Sequence, residues 1–223
     1  MNVTELIKRR HSVRQYKDKA IEGETLRLLL EEIELCNKES GLNIQLVTNE
    51  PKAFSGRMAK YGKFENVSNY IALVGKKTKD LDELCGYYGE RIVLKAQELG
   101  LNTCWVALTY TKVPEAYEVR RGEKLTVVIS VGYGRHRGLP RKSKSLSEVS
   151  NAEEVKTEWF TRGVEAALLA PTAMNQQKFS FTLTPDGVIA KAGIGFYTKM
   201  DLGIAKYHFE LGAGRENFTW CVK

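Results

Sequence analysis

Three stretches of this 223-residue chain bring together side chains whose types and spacing can do chemistry. The first is Arg10-His11-Ser12-Val13-Arg14. In an extended backbone alternate side chains share a side, which groups Arg10, Ser12 and Arg14. Two guanidinium forks with a hydroxyl between them match a phosphate monoester, which offers three acceptor oxygens and up to two charges. A solvated basic turn is the plain alternative. The second stretch is Ala170-Pro171-Thr172-Ala173-Met174-Asn175-Gln176-Gln177. Amide side chains donate and accept, so they can read a ring edge that alternates carbonyl and N–H groups. An ordinary polar loop behind a proline stop would look the same. The third, Leu99 to Leu108, reads as a tight helix exit leading into an apolar turn, with backbone amides able to face a planar ligand. Trp105 is either a wall of that site or core packing.

Other chemistries find little support. The three histidines, His11, His136 and His208, are widely separated, and the four cysteines, Cys36, Cys85, Cys104 and Cys221, form no CxxC or Cys/His cluster. No metal site is expected, and the cysteines read as small buried thiols of a reducing compartment. No pair of residues suggests a nucleophile with its base. The amphipathic N-terminus has no signal-peptide pattern, and no apolar run reaches the ~18 residues that would cross a bilayer. A cytoplasmic protein with no membrane partner is expected.

The elements that must hold these stretches follow from periodicity. Helices are expected over Val3–Arg9, Glu24–Asn37, Tyr87–Gly100, Glu158–Ala170 and Met200–Gly212. Strands are expected over Asn43–Thr48, Tyr70–Val74, the buried run Thr126–Val131, Phe179–Thr184 and Val188–Ala192. Gly132–Ser150, rich in Gly, Arg, Lys and Ser, reads as a mobile crossing. Two long helices close in the same Glu-Leu-Gly triplet, at 98–100 and 210–212. Each half runs helix, strand, irregular stretch, long helix. Either the chain is an internal duplication, or it alternates as α+β proteins commonly do.

Charge refines the ligand class. Lys and Arg total 34 against 27 Asp and Glu, a net charge of +7. The basic residues cluster at 8–14 and at 135–144, without the interleaved aromatics of single-strand nucleic-acid binders. A phosphate-bearing small molecule is therefore favoured over a nucleic acid, and no nucleic-acid partner is expected.

Together RRHSVRQY, APTAMNQQ, LGLNTCW and GYGRHRGLPRKSKSLSEV resemble the FMN-dependent nitroreductase family over nearly the whole chain. The resemblance implies an α+β fold, with a mainly antiparallel sheet wrapped by helices, and bound FMN. One departure matters. Ordinary members carry the AP-S/T-x-x-N-x-Q segment after the second helix, where this chain has Leu35-Cys36-Asn37-Lys38-Glu39-Ser40-Gly41. Its displacement to 170–177 resembles a subgroup in which two family-like halves, here 1–150 and 151–223, are fused as a pseudo-dimer. One FMN per chain is then implied, in a monomer acting as a pseudo-dimer or in a homodimer.

The resemblance also implies roles. Arg10, Ser12 and Arg14 would hold the phosphate and the pyrimidine end of the ring, with His11 alongside. Lys142 and Lys144, with Arg141 as a substitute, would close on the phosphate. Pro171, Thr172, Asn175 and Gln177 would cover the flavin, Trp105 would wall it, and backbone N–H groups at Ala107 or Leu108 would face its hydride-accepting nitrogen. The implied activity passes hydride from NAD(P)H through FMN to a small electron-poor acceptor by a ping-pong cycle, with no catalytic side chain. The alternative is a flavin-binding member without significant turnover. Gly56–Asn69 and Tyr110–Tyr117 read either as lids on the acceptor side or as plain surface loops.

Overall fold

The computed structural model describes residues 3–221. The chain forms two compact units, one comprising Arg9–Leu81 and Arg91–Leu139, the other Met1–Lys8, Asp82–Glu90 and Pro140–Lys223. The long helix α4 (Leu81–Glu98) contributes residues to both.

The first of these, the sheet unit, contains helices α2 (Gly23–Ser40) and α3 (Arg57–Tyr61). Its four strands are β1 (Gln45–Val47), β2 (Tyr70–Lys76), β3 (Asn102–Val106) and β4 (Glu123–Gly132). They form one antiparallel sheet in the order β1-β2-β4-β3. Residues Tyr70–Gly75 of β2 and Val127–Gly132 of β4 are continuously buried, so both faces of the central pair are covered and period-two alternation disappears. One face packs on Phe54, Phe64, Val67, Tyr110 and Val113, with Phe54 and Tyr110 stacked at 6.1 Å. Much of the two expected loops, Gly56–Asn69 and Tyr110–Tyr117, is thereby committed to core, although Tyr61 and Met58 remain exposed.

The other unit, called here the helical unit, contains most of α1 (Val3–Arg9), α5 (Leu146–Val149), α6 (Ala152–Val155), α7 (Glu158–Leu168) and α8 (Thr198–Ala213). Its antiparallel hairpin is β5 (Phe179–Thr184) with β6 (Gly187–Ala192). An aromatic core joins α7, α8 and the hairpin. Phe181 stacks on Phe209 at 4.7 Å, with Phe160, Phe218 and Trp220 around them. Such ring pairs add roughly 0.5–1.5 kcal/mol each beyond their burial.

Glycines set the helix contacts. A Cβ on Gly203 of α8 would stand 2.0 Å from the Glu83 carbonyl oxygen, and one on Gly86 would stand 2.1 Å from the Met200 carbonyl oxygen. The two helices therefore meet backbone to backbone, a distance only glycine permits.

Three expectations are corrected. The stretch after Gly100 is a strand, β3, paired with β4 from Asn102↔Gly132 to Val106↔Val128, because its β-branched and aromatic residues complete the sheet. The two Glu-Leu-Gly triplets are not equivalent. Gly100 ends its helix at φ +79°, whereas Gly212 lies inside α8, and Gly214, also at φ +79°, terminates it. Gly212 is there for packing: a Cβ would approach the Arg162 carbonyl oxygen to 2.5 Å. Finally, the expected crossing from Gly132 to Ser150 is pinned by specific bonds. Tyr16 bridges Gly134, and Ser145 and Glu148 make a reciprocal cap on α5.

Candidate functional site

In the sheet unit the segment 10–16 runs along the outer edge of β3. Ser12 makes a parallel bridge to Thr103, and the Val13 N–H donates to the Thr103 carbonyl at 2.9 Å. Beyond it, Tyr16 N–H donates to the Glu65 carbonyl at 3.1 Å, and Arg135 N–H donates to the Gln15 carbonyl at 2.9 Å. Val13 and Tyr16 anchor the segment from below, at 0% and 2% exposure. The Tyr16 hydroxyl donates to the Val13 carbonyl at 2.7 Å and lies 2.9 Å from the Ser130 hydroxyl. Burial raises the Tyr16 phenol well above its ordinary range, so it stays a neutral donor.

This anchoring groups the predicted donors. Arg10 is buried at 2% exposure, His11 and Ser12 are half-buried, and Arg14 is exposed. All three predicted phosphate ligands bear on the electrostatics of the neighbouring Cys104 thiol. Burial raises that thiol's pKa, while Arg14, a hydrogen bond from Ser12, and Arg10 pull it back. The Arg14 guanidinium also lies 5.9 Å from the Phe64 ring centroid. The loop carrying Arg135-His136-Arg137 closes on the same segment. Gly138, at φ +80°, lies so near that a Cβ would stand 2.4 Å from the His11 Cβ. Ala107 and Leu108 follow the last ladder pair of β3, with Leu108 68% exposed, and Trp105 is half-buried opposite Ile129.

In the helical unit the other predicted residues form a hydrogen-bonded knot. Gln177 is buried. Its Oε1 accepts from the Lys144 N–H at 2.8 Å, and its Nε2 donates to the Leu168 carbonyl at 2.8 Å. Lys144 Nζ donates to the Gln177 carbonyl at 3.0 Å. Asn175 Nδ2 donates to the Lys142 carbonyl at 2.8 Å, and Arg141 donates to the Leu169 carbonyl. Thr172 Oγ1 accepts from the Gln177 N–H at 3.1 Å, behind the buried Pro171. The amides at Gln177 therefore serve this unit's own backbone. Asn175 differs: its Oδ1 is buried with no hydrogen-bond donor, an acceptor left open.

The knot is strained. Met174, Asn175 and Gln177 all sit at positive φ, between 45° and 55°. For the Met and the Gln this costs roughly 1–2 kcal/mol each. The turn also presents apolar surface: Met174 is 93% exposed, and on the neighbouring loop Ile194 and Phe196 are 96% and 86% exposed.

The sequence reading missed Asp201, which organises this turn. It is 2% exposed in the first turn of α8, and its carboxylate accepts from the Ala173 N–H at 2.9 Å and from Gln176 Nε2 at 2.7 Å. Burial pushes its carboxyl up to about 6, against the opposing pull of those two bonds. A lone acid in the otherwise apolar run Met200–Ala205 was the available signal. It also missed Glu90 and His208. Both side chains are fully buried, 2.8 Å apart, with His208 Nδ1 3.1 Å from the Ala166 carbonyl.

No group of His, Cys, Asp or Glu among the described residues could hold a metal ion, and no helix among them is long and apolar enough to cross a membrane. The fold has solved counterparts. A putative nitroreductase from Thermotoga maritima aligns at TM-score 0.65 and 24% identity, over 97% of this chain and 85% of that one. A putative nitroreductase in complex with FMN from Desulfovibrio desulfuricans aligns at TM-score 0.53 and 20% identity, over 66% and 93%. A putative NADH oxidase from Clostridium acetobutylicum aligns at TM-score 0.50 and 20% identity, over 65% and 96%. No curated protein matches the chain. The family profile described as "Putative TM nitroreductase" matches residues 2–213, nearly the whole length, and the chain belongs to that family.

Proposed function

We propose that this chain binds one FMN and uses it to reduce a small electron-poor acceptor, nitroaromatic or quinone-like, with NAD(P)H as donor in a ping-pong cycle. Bound FMN would supply the two-electron redox chemistry. The observation that carries the reading is the donor set on the β3 edge: Arg10, Ser12 and Arg14 lie on one short segment held to Thr103, within a chain of the nitroreductase family. That set fits a phosphate. Its two guanidinium groups and hydroxyl offer only hydrogen-bond donors to an anion, and Arg10 is withdrawn from water, where each charge-assisted bond is strongest.

The chain's own part is binding and orientation. Arg10, Ser12 and Arg14 would hold the phosphate, with His11 packed beside them. Backbone N–H groups at Ala107 and Leu108, past the end of the β3 ladder, would donate to the ring, and Trp105 would pack against it. In the helical unit the open Asn175 Oδ1 suits a ring N–H, which is the chemistry its burial demands. Pro171, Thr172 and Gln177 fix the turn that carries it. Arg141, Lys142 and Lys144 supply positive charge on their own segment. Such charge favours an anionic reduced ring. No side chain acts as nucleophile or base. The reading places the protein in the cytoplasm, consistent with cysteines that form no disulfide.

The test is reconstitution with FMN, gel filtration and a visible spectrum. The expected result is one flavin per chain, bleached by NADH or NADPH without oxygen and restored by a quinone or nitroarene. Two flavins per chain would overturn the single-site reading. A retained flavin that no nicotinamide bleaches would make the protein a flavin binder without this turnover. No retained flavin would remove the oxidoreductase reading altogether.

A further inference from the structure

We propose that Asp201 is the positioning residue of the 171–177 segment: its carboxylate clamps the strained turn in the shape that meets the flavin. This rests on the flavin contact proposed above for that segment.

The turn needs an external clamp. Left-handed backbone at Met174, Asn175 and Gln177, with no glycine among them, runs against local preference. Its internal bonds, Asn175 N–H to the Thr172 carbonyl at 2.9 Å and Gln176 N–H to the Ala173 carbonyl at 3.0 Å, are short-range ones that many turns of this sequence could make. Asp201 is 28 positions from Ala173, and it takes one donor from each end of the tip. Met174 and Asn175 lie between those two anchors. The second N–H of the Gln176 amide donates to the Phe196 carbonyl at 2.9 Å, so the same carboxylate indirectly ties the loop before α8 to the turn. An acid in a first helical turn ordinarily faces solvent and the helix's own N–H groups. Here both oxygens are spent on the turn, at 2% exposure.

The test is Asp201→Asn in the full chain. The amide keeps an oxygen for Ala173, but its NH2 then faces the Gln176 NH2, donor against donor, and Gln176 must turn away and release Phe196. Three quantities are read: hydrogen exchange across 173–177 without flavin, the FMN dissociation constant, and the melting temperature. Loss of one charge-assisted bond is worth roughly tenfold or more. We expect exchange in the turn to rise about tenfold and FMN to bind more weakly, by at most that factor, because affinity falls with the fraction of chains holding the turn formed. Melting should fall by no more than the few degrees that one such bond is worth. A role in global packing alone would lower the melt without raising exchange in 173–177 above that of the rest of the helical unit. Unchanged exchange in 173–177 would overturn the clamp, whatever happens to FMN. Faster exchange with unchanged FMN affinity would leave a clamp but take the turn away from the flavin, overturning the inference together with that part of the proposed function. Gln176→Ala removes one anchor only. It should shift both readings in the same direction by less, and it keeps the test decisive if the Asn variant does not fold.

Discussion

Gly203→Ala is the most direct test of how the helical unit is held together. The added methyl would stand 2.0 Å from the Glu83 carbonyl oxygen and 2.8 Å from the Tyr87 nitrogen, where ordinary contact begins near 3.4 Å. Both obstacles are backbone, so no rotamer relieves them, and α8 must move about 1.4 Å from the Asp82–Glu90 half of α4. Three bonds join the same two helices: Tyr87 to Glu210 at 2.5 Å, Lys206 to Glu83 at 2.8 Å, and His208 to Glu90 at 2.8 Å. A shift of that size carries each out of hydrogen-bond range. Overpacking costs about 1–3 kcal/mol, and loosening the buried His208–Glu90 hydrogen bond adds to it. The better helix propensity of alanine returns about 1 kcal/mol. The net expectation is a loss of about 3 kcal/mol, which lowers Tm by roughly 6–12 °C in a chain of this size. Calorimetry of wild type and variant measures it. Gly86→Ala should behave alike, and the double variant should cost much less than the two losses added, since one separation admits both methyls. A Gly203→Ala protein that melts at or above the wild-type temperature would refute the backbone-to-backbone contact.

Other outcomes follow from the same geometry. Arg10→Ala should weaken FMN binding by about 1.5–3 kcal/mol, measured by flavin fluorescence titration, and an unchanged affinity would remove Arg10 from the phosphate site. Glu90→Ala leaves the buried His208 Nε2 without its hydrogen-bond partner and should cost about 1–3 kcal/mol in urea unfolding; a loss below 0.5 kcal/mol would make the contact incidental. Asp201 sets a pH dependence. Its folded pKa, near 6, lies above its ordinary value of 3.8, so the native state takes up this proton first, and its contribution to stability grows as pH falls through 6 toward 4. Between pH 7 and pH 4.5 wild type should gain about 2 kcal/mol relative to Asp201→Asn in paired urea melts, and a flat difference would refute the buried, raised carboxyl.

The sequence revealed the helices and most strands because apolar spacing survives wherever one face is buried. It misread β3, because the run Asn102–Val106 follows directly on the helix exit at Gly100 and is too short to show a clear alternation before it pairs with β4. The β-branched and aromatic residues there express sheet context that no local window contains. The basic-Ser-basic motif was legible as a cluster of donors, yet the burial of Arg10 depends on the β3 edge it runs along. The amide motif was legible as chemistry, but most of its hydrogen-bonding groups turn inward. Only the fold reveals that Asn175 keeps an open acceptor and that Asp201, far along the chain, holds the turn.

The placement of the four cysteines has a practical consequence. Cys36, Cys85 and Cys104 are buried, and burial holds the Cys36 thiol up at about 12 and the Cys104 thiol above its ordinary value, so at neutral pH neither offers an electrophile its thiolate. Cys221 alone is partly exposed. The native chain thus has one address for a maleimide dye, on the strand-like tail that bonds back to Val188. Each further thiol labelled counts an opening event. Because Cys36 and Cys104 lie in the sheet unit and Cys85 in the helical unit, mass spectrometry of labelled peptides would time the opening of the two units separately, in a single unmodified protein.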